Sequence, residues 1–212
     1  MRRLVVTGTG RCGTRYASHV LRAAGVVCGH EQVFTFGVAR GRTPRWRGFE
    51  ADASWLAVPR LSEVRARTVL LVRHPLDVAH SMLQLGWFTP QRASISRVLA
   101  AVDPRILGEP TRADQAMALW LRWNTVARPH AAHVVRFGDL VADPAVLLRA
   151  AGVAARAAPG ALEAIHADTT KTNSKVDRKQ PHPRPAWGDI RPSLREQAQE
   201  LAAEFGYPRE ET

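Results

Sequence analysis

At 212 residues with 45% apolar side chains, the chain can bury a sizeable core as one α/β domain, which excludes a mainly disordered protein. Its 30 Lys plus Arg against 19 Asp plus Glu give a formal net charge of +11, but the arginines are scattered among Ala, Leu and Val. No helix-turn-helix, zinc-finger or RNP pattern accompanies them, so no nucleic-acid partner is expected. Two cysteines make no disulfide framework, and with eight histidines never at ligand spacing beside them no metal site is expected. No apolar run approaches the roughly 18 residues of a membrane span, and a core-type strand begins at Leu4, which predicts a cytoplasmic protein.

In chain order, the apolar run Leu4, Val5, Val6 ends a buried strand and leads into Gly8, Gly10 and Gly13 and then a helix. Glycines there let the backbone approach a ligand without a Cβ in the way, and the amides opening the helix face an anion. Arg11 and Arg15 add positive charge on either side of the turn, suited to bidentate oxyanion binding. The spacing GTGRCGT fits the outline of a P-loop but lacks its Gly-Lys-Ser/Thr ending, so the lysine and the magnesium-holding hydroxyl of an ATPase are missing. A tight turn without a ligand is the alternative reading of these glycines.

Residues 68 to 82, TVLLVRHPLDVAHSM, repeat the plan: a strand through Val72, Arg73 at its carboxyl end, Pro75 in the first helical turn and Ser81 two turns on. Two such strand ends side by side would make one composite anion site. Strands are predicted near 3–7, 26–28, 68–72 and 133–137, and helices near 14–24, 76–85, 112–128, 143–151, 159–167 and 192–205. The repeating strand-helix plan predicts a three-layer α/β/α arrangement around a mainly parallel sheet. Residues 32–66, with Phe34, Phe36, Trp46, Phe49 and Trp55, have weak periodicity and read as an insert covering an acceptor, and Trp87 and Phe88 are candidates to line the same pocket.

Several separate stretches together resemble the sulfotransferases that use 3′-phosphoadenosine 5′-phosphosulfate (PAPS). Arg11-Cys12-Gly13-Thr14-Arg15-Tyr16 is similar to the family's 5′-phosphosulfate loop, and Arg73, Pro75, Asp77, Val78, Ala79 and Ser81 fall without a gap on its 3′-phosphate element. WLRWN at Trp120 to Asn124 and VVRFGDLVADPAVLLRAAGV at 134–153 resemble the aromatic helix and the Arg-Tyr-Glu-Asp-Leu strand, so the likeness spans most of the chain. It implies a P-loop nucleoside-triphosphate-hydrolase-like fold and metal-independent, in-line transfer of a sulfuryl group to a hydroxyl or amine of a small molecule or glycan. Arg11 would neutralise the leaving oxygen, Gly13, Thr14 and Arg15 would hold the 5′-phosphate, and Tyr16 takes the position that stacks on adenine. Cys12, where the family has serine, reads as a small filler. The family's Arg-Lys-Gly loop is absent; in its place 171–187 reads as a basic lid, holding all three lysines of the chain and contributing Arg178 and Lys179 to the 3′-phosphate. Cys28-Gly29-His30-Glu31 resembles the element that carries a catalytic glutamate, which makes Glu31 the candidate base and His30 the runner-up, followed by His74 and His80. A P-loop nucleotide or small-molecule kinase and a non-catalytic anion- or nucleic-acid-binding protein remain as alternatives.

Overall fold

Five short strands, all parallel, form one sheet in the order β2-β3-β1-β4-β5: β1 Leu4–Thr7, β2 Cys28–His30, β3 Ala51–Ala53, β4 Arg67–Val72 and β5 His133–Arg136. The computed structural model describes residues 3–154 and 182–209, so the helix expected near 159–167 and the residues Arg178 and Lys179 lie outside the described part. Side chains alternate across the strands, as the period of two requires. Leu4, Val6, Val69 and Leu71 enter one core with α1 (Thr14–Ala23), and Val5, Leu70 and Val72 enter the other with the short α2 (Phe36–Ala39) and with α3 (Pro75–Gln84). Both faces of the sheet are thereby covered, which is why β1 and β4 read as nearly continuous apolar runs.

Pairing of β1 with β4 sets Val6 beside Val69 and Thr7 beside Leu70. From these neighbouring strands the chain leaves to opposite faces, β1 into α1 and β4 into α3. Such a switch in direction opens a crevice at the carboxyl ends of the two strands, where ligands collect in open α/β sheets.

Several elements depart from the sequence expectation. β3 lies inside the stretch 32–66 that was expected to be an insert, and it pairs with both β2 and β1. Its Ala-Asp-Ala has little strand propensity; what selects it is the fit of two small, fully buried alanines against α1 and the hydrogen bonding of Asp52. The second strand starts at Cys28 rather than Val26, because Val27 instead joins Glu50, its amide to the Glu50 carboxylate and its carbonyl to the Glu50 amide. The helix expected at 143–151 is α7 (Ala145–Ala151), and a further short helix, α6 (Phe137–Ala142), precedes it, separated at Asp143-Pro144, where proline disfavours helical backbone in the residue before it. Between them in the chain order and β4 come α4 (Ala93–Val102), not foreseen, and α5 (Arg112–Ala127). The last helix, which we number α8 (Pro192–Glu204), packs along α5, with the Arg191 amide donating to Asp114 at 2.9 Å.

Candidate functional site

The first loop is shaped by what surrounds it. Gly13, at φ 105, caps α1, and a Cβ there would run into the ring of Phe137; a Cβ on Gly10 would run into the indole of Trp87. The N-cap residue Gly13 has no side chain with which to cap the first turn of α1. Arg11 is held at φ 73, a left-handed conformation uncommon outside glycine, and its Nε donates to Ser81 Oγ at 3.1 Å. Arg73 donates to the Arg11 carbonyl at 3.4 Å and lies over the Phe137 ring, 5.3 Å from its centroid. Burial, then the neighbouring Arg73 charge, lowers the pKa of the Arg11 guanidinium. An arginine keeps its proton even so. Among the described residues none of Arg11, Arg15 and Arg73 pairs with a carboxylate, leaving three positive charges around one opening.

That opening is a cleft of about 270 Å³, lined on one side by Arg11, Gly13, Thr14, Arg15, Tyr16, His30, Glu31, Arg73 and Phe137. The sequence-selected residues of both strand ends and of the β2 end therefore meet in one place. Cys12 and Ser81 do not line it. Cys12 is buried beneath the loop, where burial pushes its thiol up to about 12, and Ser81 acts from behind by holding Arg11. Tyr16 is only 2% exposed and meets Phe137 edge-on at 6.4 Å, so the broader aromatic wall at this end is Phe137, which sequence reasoning did not single out. Two larger cavities, of about 420 and 430 Å³, contain no residue of either strand-end loop.

His30 ends β2 and Glu31 follows it at φ 59, again left-handed. His30 Nε2 stands 3.9 Å from the Glu31 carboxylate and 3.5 Å from Thr14 Oγ1. Burial and the surrounding positive charges, Arg15 first among them, lower the His30 pKa to about 4, so the imidazole is neutral near pH 7 and a weak base. Beneath this corner sits Asp52 of β3, fully buried. Its carboxylate accepts from the amides of Gln32 at 3.2 Å and Phe34 at 3.0 Å, fixing the loop that presents Glu31. Burial raises the Asp52 pKa despite these hydrogen bonds. No sequence pattern pointed to Asp52, since its partners are amides 18 and 20 residues away.

The rest of the cleft lining is apolar: Phe36, Trp55, Leu85, Trp87 and Ile95, with Arg92. Phe36 and Trp55 come from the stretch 32–66, which thus supplies both a sheet strand and part of this wall, whereas Phe88 packs against the core without lining the cleft. Three side chains of α5 fasten the whole arrangement. Trp120 Nε1 donates to the Arg73 carbonyl at 3.0 Å, Trp123 Nε1 to the Trp55 carbonyl at 2.9 Å, and Asn124 Nδ2 to Thr9 Oγ1 at 3.0 Å.

Of the expected basic lid at 171–187, the described part begins at His182, whose carbonyl meets His80 Nε2 at 2.9 Å, and Arg184 pairs with Asp77 at 3.0 Å. Its end is therefore docked on α3, beside Ser81. His74, at the start of α3, lies between the rings of Trp187 and Tyr207 and does not line the cleft. Among the described residues no group of three or more His, Cys, Asp or Glu is placed to hold a metal ion, and no helix is long and apolar enough to cross a membrane. Neither models of known protein families nor curated proteins match the chain.

Proposed function

We propose that the protein is a PAPS-dependent sulfotransferase of P-loop-like fold, which moves a sulfuryl group to a hydroxyl or amine of a small acceptor by metal-independent, in-line displacement. The observation that carries the reading is the convergence of Arg11, Arg15 and Arg73, none paired with a carboxylate among the described residues, on the uncapped start of α1. A cleft so charged calls for a ligand with more than one anionic group. Gly10 and Gly13 let the Trp87 and Phe137 rings pack directly against the loop, which holds it at the mouth of the cleft, where the start of α1 is favourable for an anion.

The donor supplies a sulfuryl group already activated on phosphate. Arg11 and Arg15 balance the charge that builds on the 5′-phosphate oxygen as the sulfur–oxygen bond breaks, and the Gly13 and Thr14 amides hold that phosphate. Arg73 takes the 3′-phosphate, with Ser81 keeping Arg11 in line. Phe137, one face of which is covered by the Arg73 guanidinium, lines the cleft where adenine would lie. Glu31, the one carboxylate among the described residues that lines the cleft, takes the acceptor's proton as the new oxygen–sulfur or nitrogen–sulfur bond forms.

Calorimetry with 3′-phosphoadenosine 5′-phosphate (PAP), ADP and ATP tests the reading. PAP is expected to bind most tightly, and Arg73→Ala to remove about 1.5 to 3 kcal/mol of that binding, the size of a lost charge-assisted contact. Equal affinity for PAP and ADP, or for PAP in the two proteins, overturns the 3′-phosphate assignment. Sulfuryl transfer is expected to continue in excess EDTA, whereas activity restored only by magnesium and ATP would favour a kinase.

A further inference from the structure

The apolar side of the cleft describes a ligand of its own. Trp55, Leu85, Trp87 and Ile95 are each at most 9% exposed. Trp55 meets Trp87 at 5.0 Å and Phe36 edge-on at 6.2 Å, which makes a rigid aromatic wall. Flat apolar rings suit such a wall. These five side chains and Arg92 carry no hydrogen-bond acceptor for the hydroxyls of a sugar, and an apolar ring needs none.

Arg92 is the single charged side chain on this side. Its Nε donates to the Leu85 carbonyl at 3.1 Å, which fixes the guanidinium plane, and among the described residues it pairs with no carboxylate. It arises from the connection between α3 and α4, an element separate from both strand-end loops, and lines the cleft together with the apolar Leu85, Trp87 and Ile95. Granted the sulfuryl-transfer reading above, we infer that the acceptor is a small aromatic molecule that carries an anionic group, such as a carboxylate, and that Arg92 selects it by binding that anion.

Three phenols of similar size test this with PAPS as donor: 4-hydroxyphenylacetate, 4-ethylphenol and tyramine, which are anionic, neutral and cationic. The anionic phenol is expected to exceed the neutral one in kcat/KM by about 10- to 100-fold, the effect of a charge-assisted hydrogen bond. Arg92→Gln should bring that ratio close to one, and Arg92→Glu should turn the preference toward tyramine, while PAP affinity measured by calorimetry holds in both. An equal rate for the three phenols in the wild type, a ratio unmoved by Arg92→Gln, or a loss of PAP affinity in its place overturns the inference. If either variant fails to fold, the wild type still decides: phenylacetate should compete with 4-ethylphenol and phenylacetamide should not, and equal competition overturns it. Should PAP bind and a sugar or alkylamine be sulfated while all three phenols are inert, the inference falls and the sulfotransferase reading stands. If PAP does not bind and no acceptor is sulfated, that reading falls and takes this one with it.

Discussion

Arg11 and Glu31 both hold left-handed backbone angles, φ 73 and 59, and both face the same cleft. Outside glycine such a conformation costs roughly 1 to 2 kcal/mol, and residues kept there by their surroundings cluster where chemistry is done. Glu31→Gly relieves the strain and removes the carboxylate together. Its stability is expected to be unchanged or higher by up to about 1 kcal/mol, while turnover falls by roughly 10²- to 10⁴-fold; a variant that keeps its turnover removes Glu31 as the base. His30 makes a different kind of prediction. Its folded pKa of about 4 lies below the ordinary 6.5, so between these values the unfolded chain binds the proton that the folded protein refuses. The contribution is complete above pH 6.5 and is lost as the pH falls toward 4, on the order of 1 to 3 kcal/mol for a group still partly open to solvent. Urea unfolding at pH 7, 5.5 and 4.5 should show this loss in the wild type and a smaller one in His30→Gln. Parallel curves for the two proteins would mean that the imidazole is not held neutral.

Helix α5 shows what an element adds to the residues it carries. By bonding the Arg73 carbonyl, the Trp55 carbonyl and the Thr9 hydroxyl, it ties the end of β4, the segment after β3 and the glycine loop to one rigid body. Asn124 is 1% exposed, so Asn124→Ala leaves the Thr9 hydroxyl buried without its donor. We expect a loss of about 1 to 3 kcal/mol in unfolding free energy and weaker PAP binding; full stability would detach α5 from the loop. The aromatic run Trp120 to Asn124 was legible as a motif, but its three partners were not, because they lie 115, 68 and 47 residues away. Elsewhere the same division holds. β1 with its glycines, β4 with Arg73 and Pro75, and α5 announce themselves through apolar runs, local punctuation and period, which are local signals. β3 does not, since Ala-Asp-Ala becomes a strand only through its neighbours on both sides, and α4 hides its apolar Ile95, Val98 and Leu99 among Ala, Ser and Arg. Phe137, Asp52 and Arg92 were missed for one reason: each matters for what it meets across the fold, not for what stands beside it in the chain.

Over the whole molecule, a net charge of +11 sets the folded state against itself and toward anions at the same time. Compaction brings the surplus arginines closer together, and three of them crowd the cleft at the edge shared by β1 and β4. Added salt screens both effects, with a Debye length that shrinks from about 10 Å at 0.1 M to about 3 Å at 1 M. The two consequences have opposite signs. Without ligand, raising NaCl from about 50 to about 300 mM should increase the melting temperature, because repulsion between like charges is damped. The further increase produced by PAP should shrink over the same range, because its dissociation constant rises by roughly a few-fold as the attraction to Arg11, Arg15 and Arg73 is screened. ADP, with one phosphate fewer on the ribose, should start from a smaller increase and lose less of it. Melting curves of the protein alone, with PAP and with ADP across the salt series separate these contributions. A PAP increment indifferent to salt would mean that the arginines are not its partners, and a steep salt dependence shared equally by PAP, ADP and unrelated polyanions would replace a nucleotide site with general attraction to negative charge.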